Sequence, residues 1–107
     1  MSHTKGLAFR KLDLHVHTPA SSCYEYKEHT PETIVEAALK QGLDGIAITD
    51  HNTAAWIDAI QAAAEGTSLT IFPGVEISTH EGYHVVALFD VDKGQEDINN
   101  FLGTIEI

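Results

Sequence analysis

A chain of 107 residues suffices for one packed domain but falls well short of the roughly 250 residues of a complete α/β barrel. Its composition, 43% hydrophobic and 21% charged, is ordinary for a globular protein and excludes a disordered tail or a fibrous repeat. Sixteen acidic against six basic side chains give a formal charge of −10, which repels phosphate backbones at long range and attracts divalent cations, while seven histidines supply imidazoles to hold them.

A single cysteine cannot close an internal disulfide, which fits a reducing compartment and makes the cytoplasm the expected location. The first residues, Met-Ser-His-Thr-Lys-Gly, carry no apolar signal core. No apolar run approaches the ~20 residues of a membrane span, so no membrane role is expected. Without a repeat, a low-complexity tract or a Gly/Ser/Pro-rich linker, residues 1–107 read as one domain.

In chain order, Lys11 to His17 has strand-like alternation, with Leu12, Leu14 and Val16 on one face and Asp13, His15 and His17 on the other. A polar loop from Thr18 to His29 leads to a helix that Thr30 can cap, with Pro31 at its first position, Glu32 favourable to the dipole, and Ile34, Val35, Ala38 and Leu39 as its apolar face. Gly42 ends it, and Asp44 to Thr49 is a short apolar run suited to a strand covered on both sides. A second helix is expected from near Thr53 to about Glu65, with Trp56, Ile57, Ile60 and Ala64 at helical spacing. Leu69 to Phe72 is a third strand, Val75 to Ser78 continues or follows it, and Tyr83 to Phe89 is a fourth apolar run. Glu96 to Leu102 reads as a third helix. Strands alternating with helices imply a parallel sheet of β/α units, either open or part of a barrel.

In such architectures chemistry gathers at the C-terminal ends of the strands. His15 and His17 close the first strand, Asp50 and His51 follow the second, Glu76 follows the third apolar run, and His84 lies early in the fourth, so all can face one cavity. Two strand residues apart, His15 and His17 point the same way at ~6 to 7 Å, which two imidazoles can span around one ion. His51 can bind metal directly. Asp50 either orients a ligand histidine or is simply an acid at a helix N-terminus. Glu76, in an otherwise apolar segment, is expected to be buried or at a cavity rim, where a carboxylate can bridge two cations; an unpaired buried glutamate is the poorer alternative. His84 taken alone is weak, because a lone histidine beside a strand is more often structural.

DLHVHT (Asp13 to Thr18), AITDHN (Ala47 to Asn52), PGVEIS (Pro73 to Ser78) and YHVVALF (Tyr83 to Phe89), in that order and spacing, resemble the polymerase and histidinol phosphatase (PHP) family. The resemblance runs from about Lys11 to Phe89. It implies part of a distorted (β/α)7 TIM-like barrel holding up to three zinc, manganese or iron ions and hydrolysing phosphomonoesters or phosphodiesters, whether small molecules or nucleic-acid ends. By the same match His15, His17, His51, Glu76 and His84 are metal ligands. His15, His17 and Glu76 would form one position, His84 would share a second with Glu76, and His51 would serve a third. Asp50, His51 and Glu76 would form the catalytic group with a metal-activated hydroxide, and Thr18 and Ser21 would contact phosphate. HTPASSC, ITDHN and IFPGVEIS are most similar to a subgroup in which the PHP part precedes an ATPase-like region.

The sequence departs from the family in two places. Many members have Ser-Asp-Gly after the first motif, where this chain has Ser21, Ser22 and Cys23; Cys23 is either a thiolate ligand or a packed cysteine, and His29 on the same loop either a ligand or a solvated side chain. The family also draws ligands from later strands, including an Asp-x-His pair that Asp90-Val-Asp92 does not replace by position. The expectation is therefore the N-terminal portion of a PHP domain, completed by a further segment or a second copy, since a half barrel leaves a sheet edge unpaired. The competing expectation is a metal-binding or regulatory module without activity. An amidohydrolase-type barrel also begins with His-x-His but fits TDHN and PGVEIS poorly.

Overall fold

The computed structural model describes residues 10–21 and 28–105. Four strands and three helices follow in the order β1 (Leu12–Val16), α1 (Pro31–Lys40), β2 (Gly45–Ile48), α2 (Ile57–Ala64), β3 (Thr70–Ser78), β4 (His84–Leu88) and α3 (Gln95–Leu102). The strands form one sheet in the order β1-β2-β3-β4.

Helices α1 and α3 begin where side chains satisfy their free N–H groups. Thr30 accepts from the Thr33 N–H, Thr33 returns a contact to Thr30, and Pro31 opens α1, as expected from the sequence. At α3, Asp97 accepts from the Gly94 N–H and Asp58 of α2 accepts from the Gln95 N–H, which pins the third helix to the second. The second helix starts later than expected, at Ile57, because Thr53 spends its hydroxyl on the Ala55 N–H in a turn and no side chain caps Trp56. Ile34, Val35 and Ala38 of α1, Ile57, Ile60 and Ala64 of α2, and Ile98 of α3 join Ile46, Ile48, Ile71, Val75 and Ile77 in one core. The three helices therefore cover one face of the sheet, the face carrying Ile46, Ile48, Val75 and Ile77.

Two features depart from a plain run of parallel units. β1 with β2 and β2 with β3 are parallel, but β4 runs antiparallel to β3. β3 pairs with β2 along one edge over Thr70 to Pro73 and with β4 along the other over Gly74 to Ser78. Pro73, which has no N–H to give, is the last β3 residue in register with β2. Gly74 follows because β4 comes too close for a side chain: a Cβ there would lie 2.8 Å from the Ala87 carbonyl oxygen and 2.9 Å from Leu88 Cδ2.

The other departure is a bulge in β1. Asp13 pairs with Ile46 and Val16 with Ile48, so two residues of β1, Leu14 and His15, stand against one of β2, Ala47. Ile46 and Ile48 point to the helix face, and so do Asp13 and Val16; both line a groove with Ile34 and Ala38 of α1. The strict alternation expected from the sequence is thereby broken. Past the bulge, His15 and His17 project to the opposite face, the one Glu76 occupies. Asp13 Oδ1 accepts from the His15 N–H across the irregularity. A bulge here re-aims the side chains that reach the site.

Candidate metal centre

Glu76 stands at the middle of the sheet's open face. Its backbone N–H donates to the Asp50 carbonyl, and it forms a parallel bridge with His51, which extends the β2 to β3 pairing past the end of β2. On its other side it pairs with Val86 of β4. Glu76 is thus fixed from both flanks while its side chain, 8% exposed, points toward the ends of β1 and β2 and the start of β4.

Four imidazoles surround that carboxylate. Oε1 meets His15 Nε2 at 2.7 Å and His17 Nε2 at 2.9 Å. Oε2 meets His84 Nδ1 at 3.1 Å and lies 3.9 Å from His51 Nδ1, which is too long for a hydrogen bond. The rings form a chain, with centroids 4.9 Å apart for His15 and His17, 4.6 Å for His17 and His51, and 6.1 Å for His51 and His84. Burial alone pushes the Glu76 carboxyl up, but the hydrogen bonds from His15 and His17 and the charges of His51 and His15 outweigh it, lowering the pKa from the usual 4.5 to about 2. Glu76 is therefore an anion at any physiological pH.

The donors fall into two sets, His15 with His17 and Glu76, and His51 with Glu76 and His84; within each, one ligand atom per residue lies within 4.8 Å of the others. Two imidazole nitrogens and one carboxylate oxygen per set suit zinc, manganese or iron, with coordination sites left for water or substrate. His51 thus stands with His84 at Oε2, where the resemblance implied a third position of its own.

Asp50 occupies a different environment. It is 1% exposed, and its carboxylate accepts from Thr18 N, Thr18 Oγ1 and Ser21 Oγ, each at 2.6 Å. Ser21 Oγ in turn accepts from the His51 N–H at 3.2 Å. Asp50 so ties the turn after β1 to the end of β2 and meets no histidine side chain among the described residues. Thr18 and Ser21, expected at the phosphate, are 0% and 1% exposed and donate their hydroxyls to Asp50. Their types and spacing did not distinguish a phosphate contact from a buried clasp. Sequence reasoning gave Asn52 no role, although it too is tied into the site. Its non-glycine positive φ of 52° is visible only in the fold.

His29 lines the groove between β1 and α1 with Asp13 and His17 and belongs to neither donor set. His80 is exposed on the turn before β4. Cys23 and His3 lie outside the described residues.

An α/β sheet that gathers imidazoles around a shared carboxylate at one end of its strands belongs to the architecture of barrel metallohydrolases. The model of the PHP domain matches residues 13–106, and this chain belongs to the PHP family. It is 41% identical over 96 residues to the 5'-3' exoribonuclease Rnm of Salmonella typhimurium, covering 84% of this chain and 31% of that protein. It is 30% identical over 69 residues to a phosphoribosyl 1,2-cyclic phosphate 1,2-diphosphodiesterase of Eggerthella lenta, covering 64% and 25%. Among solved structures, a Bifidobacterium adolescentis protein assigned as a metal-dependent phosphoesterase superposes with a TM-score of 0.60 at 36% identity, covering 89% of this chain and 32% of the other. The chain spans about a third of the length of the first curated relatives. No helix among the described residues is long and apolar enough to cross a membrane.

Proposed function

We propose that this chain carries the ligand-bearing strands of a metal-dependent phosphoesterase acting on nucleotide-type phosphomonoesters or phosphodiesters, including nucleic-acid ends, in the cytoplasm. The observation that carries the reading is Glu76, whose two oxygens each face a pair of imidazoles. His15, His17 and Glu76 hold one cation; His51, His84 and Glu76 hold a second. Zinc, manganese and iron all suit imidazole and carboxylate donors, and a third ion would need ligands beyond these two sets.

A divalent ion in such a site lowers the pKa of a water toward neutrality and neutralises phosphate oxygens for in-line displacement. The chain's own residues supply the geometry. Glu76, sharing one oxygen with each set, fixes the spacing of the two positions. His15 and His84 have side chains 55% and 58% exposed, so the open face is the side from which a phosphate ester arrives. Asp50 is a positioning residue: its three hydrogen bonds hold the turn that follows His17, and through Ser21 it steadies His51. The exposed Leu12, Val86 and Leu88 on the open face, and the outer edges of β1 and β4, are covered by further chain or by a second copy.

The test is metal analysis of the purified protein after reconstitution, with hydrolysis assays on p-nitrophenyl phosphate and bis(p-nitrophenyl) phosphate for wild type, His15→Ala and Glu76→Gln. Bound transition metal and hydrolysis that both variants abolish support the reading. Failure to bind transition metal would end it. Metal bound without hydrolysis favours the metal-binding module instead.

A further inference from the structure

Between the two sets of ligands the chain makes one unusual backbone move. Asn52, directly after His51, has φ of 52°, in the left-handed region that asparagine tolerates far better than most side chains. That conformation turns the chain so that Asn52 grips β3 at two points. Its backbone N–H donates to the Glu76 carbonyl at 2.8 Å, and its side-chain Oδ1 accepts from the Ser78 N–H at 3.1 Å. The gripped residues flank the second donor set on β3: Glu76 carries Oε2, and Ser78 lies opposite His84, whose Nδ1 is 3.2 Å from the Ser78 hydroxyl. His51 is the remaining member of that set, and its backbone N–H is held on the other side by Ser21.

We propose that Asn52 is a positioning residue for the second cation position, setting His51 against Glu76 and His84 by clasping β3 at the Glu76 carbonyl and the Ser78 N–H. The proposal rests on the metal-site reading above. His15 on β1 and His17 just after it reach Oε1 directly, and the clasp touches the first position only through the Asn52 N–H on the Glu76 carbonyl, a backbone contact that side-chain replacement at Asn52 leaves in place. The side chain of Asn52 is exposed, which makes its effect moderate: distances of a few tenths of an ångström at His51, not collapse of the sheet.

Backbone and side chain can be separated. Glycine keeps the left-handed conformation and removes the Oδ1 acceptor, aspartate keeps both, and alanine loses the acceptor and adds backbone strain. The experiment is a Zn²⁺ titration of the purified protein against a chelator, with metal content counted, alongside the absorption spectrum of the Co²⁺ form. Wild type should take up two equivalents. Asn52→Gly should weaken the second by roughly 5-fold or more and leave the first within about 3-fold, Asn52→Ala should weaken it further, and Asn52→Asp should restore it. With His51 already replaced by alanine, Asn52→Gly should have no further effect on metal binding, since the residue acts through His51. A second equivalent unchanged in Asn52→Gly, or both equivalents lost together with or without unfolding, overturns the proposal. A wild type that binds no Zn²⁺ fails at the metal-site reading instead, which separates the two.

Discussion

Two carboxylates are buried within a few residues of the same sheet end, and they are compensated in opposite ways. Asp50 is enclosed by one backbone N–H and two hydroxyls, neutral donors from a single turn. Glu76 is enclosed by four imidazoles delivered by β1, β4 and the segment after β2. Hydroxyl and amide donors satisfy a carboxylate and hold a loop, but they cannot share it with a cation. Imidazoles can turn a lone pair to a metal, so in the proposed reading the carboxylate they surround would serve as a shared ligand. The same charge would then be architecture in one place and chemistry in the other.

The comparison breaks most visibly at Glu76→Gln. Loss of the shared anion should lower affinity for both equivalents of metal by more than the ~10- to 100-fold typical of an outer partner, and abolish metal-dependent stabilisation in a thermal melt. Asp50→Asn should do the reverse. It leaves short contacts from Thr18 and Ser21 mismatched and costs roughly 1–3 kcal/mol of stability with or without metal, a melting temperature lower by about 4–8 °C per kcal/mol. If Asp50→Asn instead removed metal without lowering the metal-free melting temperature, the division of labour would be wrong.

Acid titration sharpens the contrast at intermediate size. Because the folded Glu76 pKa is depressed to about 2 from 4.5, its contribution to the metal-free fold is present above 4.5 and disappears as pH falls through about 2. The stability gap between wild type and Glu76→Gln, measured without metal by denaturant unfolding, should close across that window. The smallest effect is expected at Thr49, whose buried hydroxyl finds no hydrogen-bond partner among the described residues. Thr49→Val should be neutral or raise stability by up to about 1–2 kcal/mol, read as a shift in the denaturant midpoint, since the isostere removes an unsatisfied group.

Much of this was legible in the residues. Local signals located α1, through Thr30 and Pro31, and the fully buried β2, through its apolar run. The convergence of His15, His17, His51 and His84 on Glu76 was expected from their places at strand ends together with the family motifs, and the side chains do meet there. What was missed depends on partners the sequence does not display. The β1 bulge exists only in register with Ile46 and Ile48, and it moves Asp13 away from the site while leaving His15 and His17 in it. The meaning of Asp50, Thr18 and Ser21 rests on a contact spanning about thirty residues of chain. The antiparallel β4 was within reach: residues 79–83 are too few for the crossover of a dozen or more residues that a parallel return needs.

Glu76 is proposed to join two cation positions, and the stoichiometry of bound metal reads this out. Reconstituted with Zn²⁺ or Mn²⁺ and freed of excess, wild-type protein should retain two equivalents, His15→Ala should lose the first position selectively, and Glu76→Gln should retain neither. Two equivalents retained by Glu76→Gln would contradict the account.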